Sequence, residues 1–244
     1  MRITIVNPKA TRLMTVLIFA LGVESFAIEG KVDLALGLSQ AKSVSLSYQE
    51  QIFIEAISPF RVGVLARLSH SYSPSQLNYK TAPAHITREN PTWPLSFFSQ
   101  EKESNIDSLK VDSTGASYLN VGYFLEYPFN EDWGAGHSLD VVGFSMGQSS
   151  NATYETNPAR DPLTTPTRVN ARPTSFNLLL LGDQDFGSLN SDFYFYYRPN
   201  TDVAIRIGLS YHFIEYTTDR KLAFDNDRFR YQSAGVLLAA SYFL

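Results

Sequence analysis

The sequence predicts an all-β chain: an antiparallel up-and-down transmembrane β-barrel of eight strands, or ten if one further segment spans, with two long outer loops. Three observations carry that expectation. Apolar residues recur at every second position through most of the chain after residue 27, the period of a strand with two unlike faces. The alternate faces hold Gly, Ser, Asn, Ala and Arg in place of the Lys, Glu and Thr of a solvated sheet, which suits the inside of a narrow barrel. Short turns alternate with two long polar stretches, 73–113 and 149–174, and that asymmetry between ends is a property of membrane barrels.

Residues 1–27 read as a cleaved export signal ahead of a single domain, 28–244. Arg2, Lys9 and Arg12 give a positive start, Leu13 to Val23 is apolar, and Ser25 and Ala27 are small residues at a cleavage site. The apolar stretch is too short for a helix to cross about 30 Å of hydrocarbon, and no run of about 18 apolar residues follows it. Without the signal the chain holds 17 basic and 23 acidic residues, a net charge of −6. No basic patch argues for nucleic acid. The absence of cysteine excludes disulfides, thiolate metal sites and cysteine nucleophiles.

The strands follow in order. In 31–39, Val32, Leu34, Leu36 and Leu38 alternate with Lys31, Asp33, Ala35 and Gly37; in 43–57, Val44, Leu46, Tyr48, Ile52 and Ile54 share a face that Glu50 interrupts. Ser58-Pro59 turns the chain into 61–72, with Val62, Val64, Ala66 and Leu68 apolar. Segment 117–127 sets Leu119, Val121, Tyr123, Leu125 and Tyr127 against Asn120, Gly122, Phe124 and Glu126; 137–147 is a strand whose apolar face is ambiguous. The clearest hairpin joins 192–198 to 203–213 through Pro199 to Asp202, and the last strand runs from about Phe229 to Leu244. Counting directions gives eight strands with both termini at the inner end. Segment 175–187, "SFNLLLLGDQDFG", breaks this parity as a span and reads as a hairpin arm of the third outer loop or an upward extension of the sixth strand.

Alternation alone does not say whether the apolar face meets a core or lipid. Aromatics near strand ends favour lipid: Tyr127, Phe129 and Trp133; Tyr197; Tyr211, Phe213 and Tyr216; Tyr242. The final residues, "VLLAASYFL", place Val236, Leu238, Ala240, Tyr242 and Leu244 on one face, as a closing strand paired on both sides would. This segment resembles the C-terminal signal strand of bacterial outer-membrane β-barrels, and the architecture resembles the small OmpA/OmpX-like members. That family usually ends in Phe; here Phe243 is penultimate and Leu244 keeps the apolar pattern. The resemblance implies a Gram-negative outer membrane, contact with its lipid and lipopolysaccharide, and recognition of the last strand by barrel-assembly machinery.

The inward set is then Lys31, Asp33, Glu55, Arg61, Arg67, Glu126, Asp192, Arg198, Arg206 and His212. Both signs are present, so an internal charge network closing the lumen is expected, whereas a selective pore would favour one sign. A small passive pore is the alternative. A second alternative, a lipid A-modifying enzyme, rests on Ser210, His212 and Glu215 as nucleophile, base and orienting acid. A regular strand puts Glu215 on the face opposite Ser210 and His212, which counts against it. His70, His85 and His137 are scattered, and Asp225 to Asp227 lack the following Gly and distal Glu of an EF-hand, so neither metal nor cofactor is expected. Asn151 to Thr153 is a formal sequon without consequence in such an envelope, and no Walker-type GK[ST] occurs. The expected role is structural or interactive, in a monomer whose loops 73–113 and 149–188 form the working surface. Within "PTWPLSFF" (91–98), Trp93, Phe97 and Phe98 are the candidate contact residues for an extracellular partner or lipopolysaccharide, or else form a cap over the barrel mouth.

Overall fold

The computed structural model describes residues 27–52, 54–92, 95–163, 165–180 and 184–244, which form one antiparallel sheet of thirteen strands. The strands are β1 (Ala27–Leu38), β2 (Lys42–Ile52), β3 (Arg61–Ser73), β4 (Leu77–Thr81), β5 (Ser108–Val111), β6 (Thr114–Pro128) and β7 (Trp133–Met146). They continue with β8 (Ser150–Glu155), β9 (Thr167–Pro173), β10 (Phe176–Leu178), β11 (Leu189–Tyr197), β12 (Val203–Thr218) and β13 (Arg228–Phe243). A short helix, α1 (Ala84–Thr87), lies between β4 and β5. Residues 1–26, nearly all of the expected signal, lie outside the described residues.

Eight strands pair in a closed ring, β1-β2-β3-β6-β7-β11-β12-β13 and back to β1. Its last contact sets Val32 opposite Tyr242 and Leu36 opposite Leu238, so the closing strand has a partner on each side. Following the pairs from Lys31 round the ring returns the register to β1 about ten positions further up, a stagger that tilts the strands by roughly 40°. Outward residues form an exposed apolar belt, with Leu36, Leu46, Leu119, Phe144, Phe193, Ile207, Leu209 and Leu238 among them. From Ala234 to Leu244 the outward face of β13 and the chain end is apolar, a height of about 25 Å at that tilt. Trp133 packs against Tyr197 at 4.5 Å and Phe60 against Tyr127 at 5.1 Å, both pairs tilted, placing aromatic rings along the lower edge of the belt.

A second ring stands on the first. β13 pairs with β4, β4 with β5, β5 with β8, β8 with β9, and β9 with β12, while β12 and β13 remain paired as far as Thr217 and Arg228. This six-stranded ring shares its two longest strands with the eight-stranded one. Each strand sends apolar side chains inward: Tyr79 from β4, Leu109 and Val111 from β5, Tyr154 from β8, Val169 and Ala171 from β9, Tyr216 from β12 and Phe229 from β13. Tyr79 and Tyr216 meet edge to face at 5.1 Å.

The sequence expectation is corrected here. Thirteen strands replace eight, because the stretches expected to be polar loops hold β4, β5, β8 and β9. Their alternation is present but short, as in Leu77, Tyr79 and Thr81 against Asn78 and Lys80, within a polar composition. The described residues of segment 175–187 form an arm: β10 pairs with β7, and Leu178 bridges back to Phe186. β2 ends at Ile52, so Glu55, expected on the inner face of a strand, falls in the 3-10 turn Glu55–Ile57. The ambiguous face of β7 is explained by a bulge at Val141: Val121 faces Val142 but Gly122 faces Asp140. Below the bulge His137 and Leu139 point outward; above it Val142 and Phe144 do, and Asp140 turns in. Tyr216 and Phe213, expected at a lipid interface, are buried, Tyr216 in the core of the upper ring.

Candidate functional site

Three places concentrate polar chemistry: the bore of the eight-stranded ring, the junction between the rings, and the outer surface of the upper ring.

The bore is filled by side chains from facing strands. Arg67 on β3 reaches Asp192 on β11 at 3.0 Å and Asp140 on β7 at 3.5 Å, and donates to Ser138 Oγ at 2.7 Å. Asp192 also accepts from Ser210 Oγ at 2.7 Å, and Asp140 from the Asn120 amide at 2.9 Å and the Asn190 backbone N–H at 3.0 Å. Lower down, Arg206 pairs with Asp33 at 2.8 Å, and Asp33 accepts from Gln49. Arg206 also lies over the Tyr194 ring at 4.5 Å. Lys31 pairs with Glu126 at 2.5 Å, and Tyr194 donates to the same carboxylate at 2.9 Å. Each of these seven charged groups has an opposite charge within reach, which offsets part of the cost of holding ions in a narrow bore. Arg67 is 4% exposed and Asp140 0%, so these side chains fill the bore. Glycines admit the bulkier rings: a Cβ at Gly136 would come within 2.7 Å of the Tyr194 ring. At the upper end Tyr118 closes the section, bonding to Ser71 at 2.6 Å and donating to Asn190 at 3.2 Å.

Of the expected inward set, Lys31, Asp33, Arg67, Glu126, Asp192 and Arg206 are thus brought together. Arg61 stands opposite Glu126 at the lower end of β3. Arg198 lies just beyond β11, pairs with Glu29 at 2.7 Å and stacks over Phe243 at 3.8 Å. His212 is fully buried, opposite Asn190 on β11 and Ser233 on β13. Asp140, Ser138, Asn120 and Gln49 were missed. Asp140 directly precedes the out-of-step Val141, and the others carry no charge to single them out.

The Ser210, His212 and Glu215 set divides. Ser210 spends its hydroxyl proton on Asp192. Glu215, on the opposite face of β12 and fully buried, is gripped by Arg228 Nε at 2.8 Å and Arg230 Nη2 at 2.9 Å. It also accepts from the Gly187 N–H at 3.2 Å, while Arg228 donates to the Asp185 carbonyl at 2.5 Å, joined there by Arg230. This triad latches the segment leading into β11 onto the outside of the junction between rings. Arg228 lies over Phe186 at 3.7 Å and Arg230 over Phe213 at 4.6 Å.

In the upper ring, Asp107 accepts from Tyr154 at 2.7 Å, from the Asn157 N–H at 2.9 Å and from Arg160 at 2.5 Å, tying the segment before β5 to the end of β8. Burial pushes the Tyr79 phenol well above its ordinary range, with Tyr216 adding to the effect, and burial likewise raises Tyr154 and Tyr216. Trp93 lies outside the described residues; Phe97 and Phe98 belong to the 3-10 turn Leu95–Phe98, and Phe98 is 84% exposed. Among the described residues, no group of three or more His, Asp or Glu side chains could hold a metal ion.

No protein-family model matches the chain, and no curated protein does. Solved structures similar to it include Neisserial surface protein A, at 9% identity over 88% of this chain and 94% of that one, with a TM-score of 0.35. The attachment invasion locus protein Ail of Yersinia pestis, in complex with a heparin analogue, is 12% identical over 89% and 100% of the two chains, with a TM-score of 0.33. A major outer membrane protein from Thermus thermophilus is 10% identical over 88% and 99%, with a TM-score of 0.38.

Proposed function

We propose that the chain is an integral bacterial outer-membrane β-barrel with a closed lumen, serving as the anchor of a rigid surface platform built by its upper ring. The reading rests on one observation above others: the charged side chains of the bore pair across it, and its upper end runs into the apolar core of the second ring. A water-filled channel would leave such groups hydrated, and selectivity would favour a single sign of charge. The apolar belt, about 25 Å high and edged below by aromatic rings, matches the hydrocarbon band of such barrels. In this orientation the upper ring faces the outside, and Phe98 and Leu163 stand out from its connections, available to a partner or to lipopolysaccharide.

The test is single-channel recording of the purified barrel in planar bilayers, beside a heat-shift gel of outer-membrane fractions. A heat-dependent band with no stable conductance is expected. Large, long-lived current steps would overturn the closed lumen, and a heat-insensitive band in the soluble periplasm would overturn the membrane barrel itself.

A further inference from the structure

We infer that the barrel pairs with a second copy of itself through the outward face of β6 and β7. The inference rests on the membrane placement proposed above, because in that placement polar side chains sit where hydrocarbon lies. His137 on β7 is four residues above Trp133, and Tyr123 on β6 is four above Tyr127. Both therefore stand about 10 Å above the aromatic edge of a belt about 25 Å high. Ser191 on β11, six residues above Tyr197, is about 15 Å above that edge. The diametrically opposite face, on β13 and β1, holds Leu34, Leu36, Leu238 and Ala240 at these heights.

The polar cluster is only half satisfied. His137 Nε2 and Ser191 Oγ share a hydrogen bond at 3.0 Å. The imidazole packs against Phe193 at 4.2 Å and meets Tyr123 edge to face at 6.0 Å. In the tautomer that donates from Nε2 to Ser191, Nδ1 is left as an acceptor. Neither Nδ1 nor the Tyr123 hydroxyl has a hydrogen-bond partner among the described residues, and Tyr123 is 39% exposed. Such groups find nothing to bond in hydrocarbon, which is costly. A second copy supplies what is missing. With a two-fold axis along the membrane normal between β6 and β7, Tyr123 and His137 lie at one height on either side of it. The Tyr123 hydroxyl then donates to the partner's His137, and the symmetry repeats the bond. A foreign subunit has no such reason to carry the matching groups at the matching height.

Shape and area agree. One strand further from the axis, Phe193 on β11 stands out at the height of the imidazole. On the other side β3 presents the small Ala66, between Tyr48 on β2 and Val121 on β6. The same axis brings the Phe193 ring of one copy over the hollow at the partner's Ala66. Four tilted strands about 4.8 Å apart, over the height of the belt, offer about 600 Å² per copy, so the pair covers about 1,200 Å², enough for a specific interface. Lipid tails are as apolar as leucine, so association within a bilayer depends on packing and hydrogen bonds of this kind.

The chain has no cysteine, so single replacements report directly. Leu125→Cys lies beside the axis, opposite His137, and Leu36→Cys lies on the far face. Oxidation by copper phenanthroline of the barrel in phosphatidylcholine vesicles should crosslink the first into a dimer at least tenfold faster than the second. Energy transfer between labelled copies, followed as added lipid dilutes the protein, reads the affinity. Tyr123→Phe and His137→Leu should each weaken pairing at least tenfold, with a heat-shift gel verifying that both variants keep the barrel. Equal crosslinking at the two positions, a monomer at every dilution, or pairing that neither variant alters overturns the interface while the heat-shifted band leaves the membrane barrel standing. In native outer membranes, a crosslink from Leu125→Cys to a different protein overturns the second copy as occupant. A chain that stays out of the vesicles and shows no heat shift overturns the membrane placement, and the interface with it.

Discussion

Arg67 on β3 and Asp192 on β11 meet at 3.0 Å across the bore, although β6 and β7 stand between their strands in the sheet. With Asp140 they form a three-charge knot that ties one wall of the ring to another through its interior. Arg67→Met would leave two buried carboxylates without their cation. The expected loss is about 3–5 kcal/mol, the cost of breaking a buried pair from one side. Combining it with Asp140→Asn and Asp192→Asn should return most of that loss, as urea titrations followed by the heat-shift band would record. Equal stability of the single and triple variants would mean that the knot is hydrated and contributes little.

The Glu215 triad makes a separate prediction. Glu215→Gln keeps the shape and one acceptor but removes the charge that holds Arg228 and Arg230. The segment 184–188 should then become cleavable by added protease on intact cells, while the eight-stranded ring remains resistant. Digestion products read by mass spectrometry decide it; unchanged protection would mean that the arm is held by β10 alone.

Alkaline pH should loosen the upper ring first. Burial raises the Tyr79, Tyr154 and Tyr216 phenols in the fold above the ordinary value of about 10, Tyr79 most of all, and that ordinary value applies once they are released. Between that value and the raised native ones the unfolded state holds fewer protons than the folded state, so stability falls as pH rises. Below pH 10 these three groups contribute no pH dependence. Tyrosinate absorbance during an alkaline titration should therefore rise cooperatively with the onset of protease sensitivity in 77–111. Gradual ionisation near pH 10 without cleavage would show that the phenols are wet.

Placement of the belt can be tested at Ile207, which lies opposite Leu238 on its outward face. Ile207→Arg should cost about 2–4 kcal/mol in folding into bilayers, the penalty for arginine near the midplane of such a barrel. The same replacement at Gln232, above the belt, should cost less than about 1 kcal/mol. Equal penalties would place the bilayer elsewhere on the ring.

Tyr79→Ala removes a ring from the centre of the upper core. A loss of about 3–5 kcal/mol is usual for such a truncation when the surroundings cannot collapse. It should lower the unfolding temperature of the upper ring, observed by hydrogen exchange in β4, β5, β8 and β9, with the eight-stranded ring little affected. Uniform destabilisation of both rings would mean that they unfold as one unit.

The eight long strands were legible because their alternation is sustained, and in all but β7, where the Val141 bulge switches the face, it leaves little doubt about which side is apolar. Val32 to Leu38 and Val236 to Leu244 needed nothing beyond it. The upper ring escaped for a physical reason: Leu109 and Val111 are the only apolar side chains in β5, and two alternations cannot be told from loop composition. Its strands become strands by pairing with one another, which sequence distance conceals; β5 meets β8 across the whole of the β6–β7 hairpin. The charge network was legible in part, since charge and face nominated Lys31, Asp33, Arg67, Glu126, Asp192 and Arg206. Asp140 was not, because the Val141 bulge shifts the parity by which it would have been assigned. The grouping of Glu215 with Arg228 and Arg230 follows from the upward extension of β12 and β13, where sequence reading ended the first at Phe213 and began the second at about Phe229.

Because β12 and β13 belong to both rings, the surface structure cannot be treated as loops hung on an anchor. Grafting a foreign peptide into 77–81 or 150–155 would open the six-stranded ring and expose the head of the shared hairpin. The connections 88–103 and 156–166 leave every pairing of that ring intact. They are where natural drift in length and sequence should accumulate, and where an engineer using this scaffold for cell-surface display should insert.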